Sequence, residues 1–200
     1  VQNRSSTWSI VLAFSDGRSL AAPRTVDPVA WARASALDTI DAVSAAVEPA
    51  NLLVLSDDEA VRTGATEAGA HAREQGRDLN AALTAALADW VRSHPERSGA
   101  VLLGPLPYAD GDTISALLRA CAATESAVVV SDDGGSVAIS HHDPARLAPR
   151  FGGSSAGRHQ RVAVSVGSHL TDDLARHVVE GREPVGSRTA ALERSATKGA

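Results

Sequence analysis

The sequence predicts an α/β domain with a mostly parallel sheet, helices on both of its faces and one antiparallel insertion. Three observations lead there. Short apolar runs alternate with longer stretches of helical period along the 200 residues. Hydrophobic residues make up 44% of the chain but aromatics only 3%, so the core must be built from Ala, Val, Leu and Ile, which suit helices and doubly covered strands alike. The run Val128-Val129-Val130, a turn at Asp132-Asp133-Gly134-Gly135 and a strand from Ser136 to Ser140 read as a hairpin, which breaks the parallel pattern. Residues 1–192 are expected to form one domain and residues 193–200 a disordered tail.

Taken in order, Ser9-Ile10-Val11-Leu12-Ala13-Phe14 is a strand that enters a loop through Gly17 and Pro23. Asp27-Pro28 supplies an N-cap and a proline at the first helical position, and Val29, Ala36, Ile40, Val43 and Val47 keep the spacing of one buried face, which predicts a helix over about 28–47. Leu52-Leu53-Val54-Leu55 is a buried strand, after which Ser56-Asp57-Asp58 caps a helix running toward Gly69. Asp78-Leu79-Asn80 opens a helix with Leu79, Leu83, Leu87 and Trp90 on one side. The strand Ala100-Val101-Leu102-Leu103 ends at Gly104-Pro105-Leu106-Pro107, and Ile114, Leu117, Leu118 and Cys121 mark the buried face of the next helix. Val162-Ala163-Val164-Ser165-Val166 reads as a further strand, and Thr171-Asp172-Asp173 as the cap of a helix carrying Leu174, His177 and Val178. After Gly181 the chain reads as peripheral.

Composition narrows the function. The formal charge is -5 and no stretch forms a basic stripe, which argues against nucleic acid as a partner and leaves small anions open. Lys198 is the only lysine, so arginine must do any phosphate binding inside the fold. A lone Cys121 makes no internal disulfide, no signal peptide is recognised and no apolar run is long enough for a bilayer; a cytoplasmic protein without a membrane partner is the expectation.

The run from Pro149 to Arg161 packs glycines, hydroxyls and basic groups together between apolar segments. Glycines let the backbone approach an anion, N–H groups and hydroxyls donate to its oxygens, and arginine adds charge; the plainer reading is a solvated loop with two caps. A second candidate is the loop after the first strand, where Gly17, Arg18 and Arg24 stand at a carboxyl end, the side on which open α/β sheets bind ligands. Neither GxxxxGK[ST] nor GxGxxG occurs. His141-His142 reads as a solvated strand end rather than a metal site, and Ser154 or Ser155 with His159 lacks both a nucleophile elbow and an orienting acid, so hydrolysis is discounted.

Four motifs stand in a telling order: Asp78-Leu79-Asn80-Ala81-Ala82, Gly104-Pro105-Leu106-Pro107, Phe151-Gly152 through Ser155 to His159, and Val185-Gly186-Ser187-Arg188-Thr189. From about Trp8 to Leu192 the chain thereby resembles the CofC-type 2-phospho-L-lactate guanylyltransferases of deazaflavin coenzyme (factor 420) biosynthesis, with their L-N-x-A, G-D-L-P and F-G-x-x-S-x-x-x-H patterns. The resemblance implies a three-layer αβα nucleotidyltransferase-like domain and transfer of GMP from GTP to 2-phospho-L-lactate or phosphoenolpyruvate, with Mg2+ as cofactor. It places Gly17, Arg18, Arg24 and Asn80 on the nucleotide and Gly152, Ser154, Ser155, Arg158 and His159 on the phosphorylated acceptor.

The departures are as informative. Pro23 stands near the lysine of the family's K-T-R-L, Pro105 replaces the metal-binding aspartate of G-D-L-P, and Gly167, Ser168 and His169 fall where the family has D-x-D. Asp172 and Asp173 follow closely but read better as N-caps. The three expected metal carboxylates are missing, no residue is identified as catalytic and none as a metal ligand. A second reading is therefore a non-catalytic binder of a nucleotide or phospho-acid, acting as a homo-oligomer or as the partner of an active paralogue; a third is a nucleotidyltransferase with another acceptor and a rebuilt metal site.

Overall fold

A computed structural model describes residues 8–14, 22–23, 26–131, 134–170, 172–175 and 182–198. Among these, seven strands form one sheet: β1 (Trp8–Phe14), β2 (Leu52–Leu55), β3 (His71–Arg73), β4 (Ser98–Gly104), β5 (Ser126–Val130), β6 (Ser136–His141) and β7 (Val164–Ser165). Their spatial order is β3-β2-β1-β4-β6-β5-β7, with only β6 antiparallel to its neighbours. The predicted hairpin is thus present, and it places Ser136 beside the carboxyl end of β4.

Alternation along the strands sorts the core into two layers. Ile10, Leu12, Val54 and Leu102 face α1 (Pro28–Ala46), α2 (Glu59–Glu67) and α4 (Gly111–Ala122), where Ile40, Val43, Val61, Ile114 and Leu117 meet them. Val11, Leu53, Val101 and Val128 face α3 (Leu79–Ser93) and meet Leu83, Leu87, Trp90 and Phe151. Each such aliphatic side chain taken fully out of water contributes roughly 1.5–3 kcal/mol before entropy is counted. Cys121 is buried on α4, and burial pushes its thiol above the ordinary range, as befits a packing residue.

The helix starts follow local chemistry. Asp27, Asp58, Asp78 and Asp110 each accept a backbone N–H of the helix they precede. Three elements differ from the sequence reading. β3 was not foreseen, because three half-exposed residues at a sheet edge carry no apolar run. The strand expected over 162–166 shrinks to the two residues of β7: Val162 closes a turn by donating to the His159 carbonyl, and Val162 and Val164 are exposed. Where a helix was expected after Asp172 the chain forms a turn at 172–174, and His177 and Val178 lie outside the described residues.

The C-terminal segment is not peripheral. A helix, α6 (Ser187–Lys198), packs on α1 and continues through residues expected to be a disordered tail. Its N-terminus is capped from another helix: Asp38 accepts the Thr189 N–H at 2.8 Å, the Thr189 hydroxyl at 2.6 Å and the Arg188 guanidinium at 3.1 Å. Gly186 permits this approach, since a Cβ there would lie 2.1 Å from Asp38 Oδ2. Asp38 is buried, so removing it strands the Thr189 N–H and leaves the Thr189 hydroxyl only Ser35 and the Arg188 guanidinium only Asp41. Asp38→Ala should lower the unfolding free energy by about 3 kcal/mol, the cost of breaking a buried charged network, in urea titrations; a loss near that of an ordinary surface substitution would show that α6 docks without this cap.

Candidate functional site

At the carboxyl ends of the strands, Asp57, Asp58 and Asp110 are committed to the scaffold. Asp57 accepts the N–H groups of Gln75 and Gly76, which staples the loop after β3. Asp58 caps α2 and pairs with Arg33 at 2.9 Å. Asp110 accepts the Thr113 N–H and hydroxyl at 2.8 Å, and those bonds hold its carboxyl below the ordinary range. Beside β4, the loop of Pro105 is fixed by the Leu106 N–H donating to Thr39 Oγ1.

The segment from Arg150 to His159 folds into a polar lattice. It includes a short helix, α5 (Ser155–His159), which stands where a loop was expected. Asn80, at the start of α3, grips the backbone of Phe151 on both sides: its Nδ2 donates to the carbonyl at 3.0 Å and its Oδ1 accepts the N–H at 2.8 Å. Ser155 Oγ accepts the Ser136 N–H at 2.8 Å. Arg158 donates to the carbonyls of Arg150, Gly152 and Gly153 at 2.8–3.3 Å. Its planar fork closes the loop from within, so the contribution left to it toward an anion is charge rather than hydrogen bonds.

His159 sits at the centre of this lattice, 2% exposed, with its ring edge-on to Phe151. Nε2 accepts the Arg150 N–H at 3.1 Å, and Nδ1 lies 2.8 Å from Ser136 Oγ. Those partners assign the proton to Nδ1. Burial, together with the charges of Arg158 and Arg150, lowers its pKa to about 4. A proton on Nε2 would also oppose the Arg150 N–H. His159 therefore holds Ser136 to Arg150, and with no acid placed to orient it and Ser155 bonded elsewhere, no hydrolase pair exists among the described residues.

What the lattice leaves open is backbone. The N–H groups of Gly152, Gly153 and Ser154 bond no described residue, and all three residues are exposed. Gly152 at φ +124° and Ser154 at φ +56° both take positive φ, which bends the chain sharply here. Successive free N–H groups in such a turn suit an oxyanion. Of the residues foreseen from sequence, Asn80, Gly152, Ser154, Ser155, Arg158 and His159 come together here; Gly17, Arg18 and Arg24 lie outside the described residues. Sequence reading missed Ser136, whose only signal was its position at the start of the hairpin's second strand.

Magnesium does not fit the described residues. No group of three or more His, Cys, Asp or Glu side chains could hold a metal among them. Pro105 offers no side-chain ligand, Asp173 is paired with Arg182, and Gly167 turns the chain at φ +70°. His141, expected on a solvated strand end, is buried in β6 and accepts the Asp143 N–H.

No protein-family profile matches the sequence, and a search of curated proteins finds no match. Among solved structures the fold is similar to that of a protein described as a nucleotide-diphospho-sugar transferase from Desulfovibrio desulfuricans G20, with TM-score 0.60 and 13% identity over 96% of each chain. It is similar to Rv0371c of Mycobacterium tuberculosis H37Rv, solved in complex with manganese, with TM-score 0.51 and 20% identity over 98% of this chain and 100% of that one. A third is 4-diphosphocytidyl-2C-methyl-D-erythritol synthase, with TM-score 0.50 and 11% identity over 96% and 99%. At these identities the likeness is one of fold, and the nucleotidyltransferase-like αβα architecture expected from the sequence is borne out. No helix among the described residues is long and apolar enough to cross a membrane.

The His159 lattice makes stability depend on pH with a definite sign. Its pKa falls from 6.5 to about 4 on folding, so between those values the unfolded chain binds a proton that the folded one refuses. The stabilisation is complete above pH 6.5 and is lost as pH falls toward 4, worth up to about 3 kcal/mol at ~1.36 kcal/mol per pKa unit. Urea titrations from pH 7.5 to 4 should show this steepening in the wild type and a flatter curve in His159→Gln. Parallel curves would mean that His159 titrates normally.

Proposed function

We propose that the chain binds a nucleoside triphosphate, GTP by the resemblance, at the crevice between the carboxyl ends of β1 and β4, and a small phosphorylated acid on the turn at residues 152–154. The strand order supports the first half: neighbouring strands leave β1 in opposite directions across the sheet, and ligands in open α/β sheets bind at such a switch point. The observation that carries the second half is that the N–H groups of the exposed residues Gly152, Gly153 and Ser154, beside Ser155, have no partner among the described residues. The acceptor would be 2-phospho-L-lactate, phosphoenolpyruvate or a near relative.

Binding without GMP transfer is the reading the site supports best. Attack by an acceptor phosphate on the α-phosphorus of GTP brings two anions together while pyrophosphate leaves, and carboxylate-held metal ordinarily offsets that repulsion. Here Pro105 occupies one expected ligand position and Gly167 another. The backbone donors on the turn bind substrate and reacting state alike, which favours affinity over rate. Asn80 and His159 act by holding the turn in shape.

Calorimetry with GTP and with phosphoenolpyruvate, each with Mg2+ and with EDTA, tests this reading alongside a pyrophosphate-release assay. Both ligands should bind, Mg2+ should change neither affinity appreciably, and pyrophosphate release should stay at background. Gly152→Ala, which forces an L side chain into a positive-φ position, should weaken phosphoenolpyruvate about tenfold, as expected for one lost charge-assisted hydrogen bond, and leave GTP unaffected. Magnesium-dependent pyrophosphate release would establish an active transferase; failure of both ligands to bind would overturn the proposal outright.

A further inference from the structure

A basic concavity lies away from the carboxyl ends of β1 and β4, on the face of the sheet that α3 covers and near the amino end of β5. The chain after β6 arches there over a cavity of ≈ 320 Å³. Arg146, Arg150, Arg158 and Arg161 all line it, and no aspartate or glutamate does. Two of the four are engaged: Arg146 pairs with Glu125 at 3.1 Å, and Arg158 spends its donors on loop carbonyls. The guanidinium groups of Arg150 and Arg161 have no hydrogen-bond or ion-pair partner among the described residues. The remainder of the wall is largely apolar, including Ile139, Leu147 and Val162, and Val162 is 74% exposed at the rim.

Four positive side chains around one small cavity, with Glu125 pairing Arg146 and no acid in the lining itself, leave a positive field at the wall among the described residues. The two histidines in the same wall feel it: burial and the Arg158 and Arg150 charges lower His159, and burial and the Arg146 charge lower His141. A concave wall of one charge sign concentrates counter-ions, and the arginine fork matches a pair of oxygens on phosphorus or carbon. The volume is at the small end of metabolite pockets. Its apolar half suits a short carbon skeleton. Its wall includes Arg158 and His159 of α5 but none of residues 152–155.

We propose that this cavity is a second anion site, which takes a small organic phosphate. Arg150 and Arg161 hold the phosphate oxygens, Arg158 contributes charge, and the carbon skeleton lies against Ile139, Leu147 and Val162. The site is independent of the nucleotide reading, since none of its gripping residues belongs to the carboxyl-end crevice.

The test uses the full chain with glycerol 3-phosphate as probe and citrate as the carboxylate comparison. Calorimetry should show glycerol 3-phosphate binding that falls roughly a hundredfold or more in Arg150→Gln/Arg161→Gln, given two charge-assisted hydrogen bonds lost. Arg161→Gln alone, an exposed substitution expected to leave folding intact, should weaken binding about tenfold by the same reckoning. In NMR titrations the arginine Nε–H signals of Arg150 and Arg161 should move, while the amide signals of residues 152–154 report the other site separately. Unchanged affinity in both variants, or shifts confined to residues 152–154, would overturn the proposal. Tighter binding of citrate with the same arginine dependence would overturn the choice of phosphate.

Discussion

The candidate site depends on a neutral imidazole. His159 accepts from the backbone of Arg150 with one nitrogen and meets the Ser136 hydroxyl with the other. This joins the segment after β6 to the start of β6 itself. From there the constraints propagate. Arg150 and Phe151 are fixed as one strand of backbone, Asn80 pins Phe151 to the beginning of α3, and Arg158 gathers the carbonyls of Arg150, Gly152 and Gly153. With the carbonyls of Gly152 and Gly153 engaged by Arg158, the N–H groups of residues 152–154 bond no described residue. A charged imidazole would have a donor facing a donor and would unpick the same lattice, which is why two arginines beside it help rather than harm: they keep it neutral.

The lattice is anchored to the sheet through Ser136 and to α3 through Asn80. β1 and β4 run buried through the centre in a seven-residue register, and Phe151 reaches into the core layer beneath α3. The backbone geometry at Gly152 and Ser154 is thereby held in place by packing several residues away. The opposite face has its own long-range clasp in Asp38, which caps α6 across about three-quarters of the chain. Both devices use a buried polar side chain to satisfy backbone donors, and in both the sequence partners are far apart.

That distance separates what was legible in the sequence from what was not. Asp27-Pro28, Asp58 and Asp78 could be read as helix starts because a cap and the N–H it accepts are two or three residues apart. The buried strands were legible from their own apolar runs. By contrast, Asp38 looks like one more polar residue on α1 until Thr189 is seen beneath it, so the last helix read as periphery. The chemistry of Arg158 was legible as charge, but the sequence carries no sign that its donors point back to three carbonyls of its own loop. The same holds for His159 and Asn80, which were picked out as site residues and serve as the frame of the site. β3 and β7 escaped because two or three half-covered residues at a sheet edge differ little from loop.

At Pro105 and Gly167, where the resemblance would put carboxylates, the backbone is satisfied without charge. Clustered aspartates repel one another unless a cation sits among them, so a metal-dependent site is a cost to the empty protein. In this chain Pro105 opens a turn whose next N–H is satisfied by Thr39, and Gly167 forms a left-handed bend followed by the buried Leu170. Neither position then adds charge to the crevice, and the turn needs no metal to stand. With lysine confined to residue 198, the remaining means of holding an anion inside the fold are backbone N–H groups and arginine. Both are displayed around the one segment that His159 braces, the former on its outer turn and the latter on the cavity wall behind it.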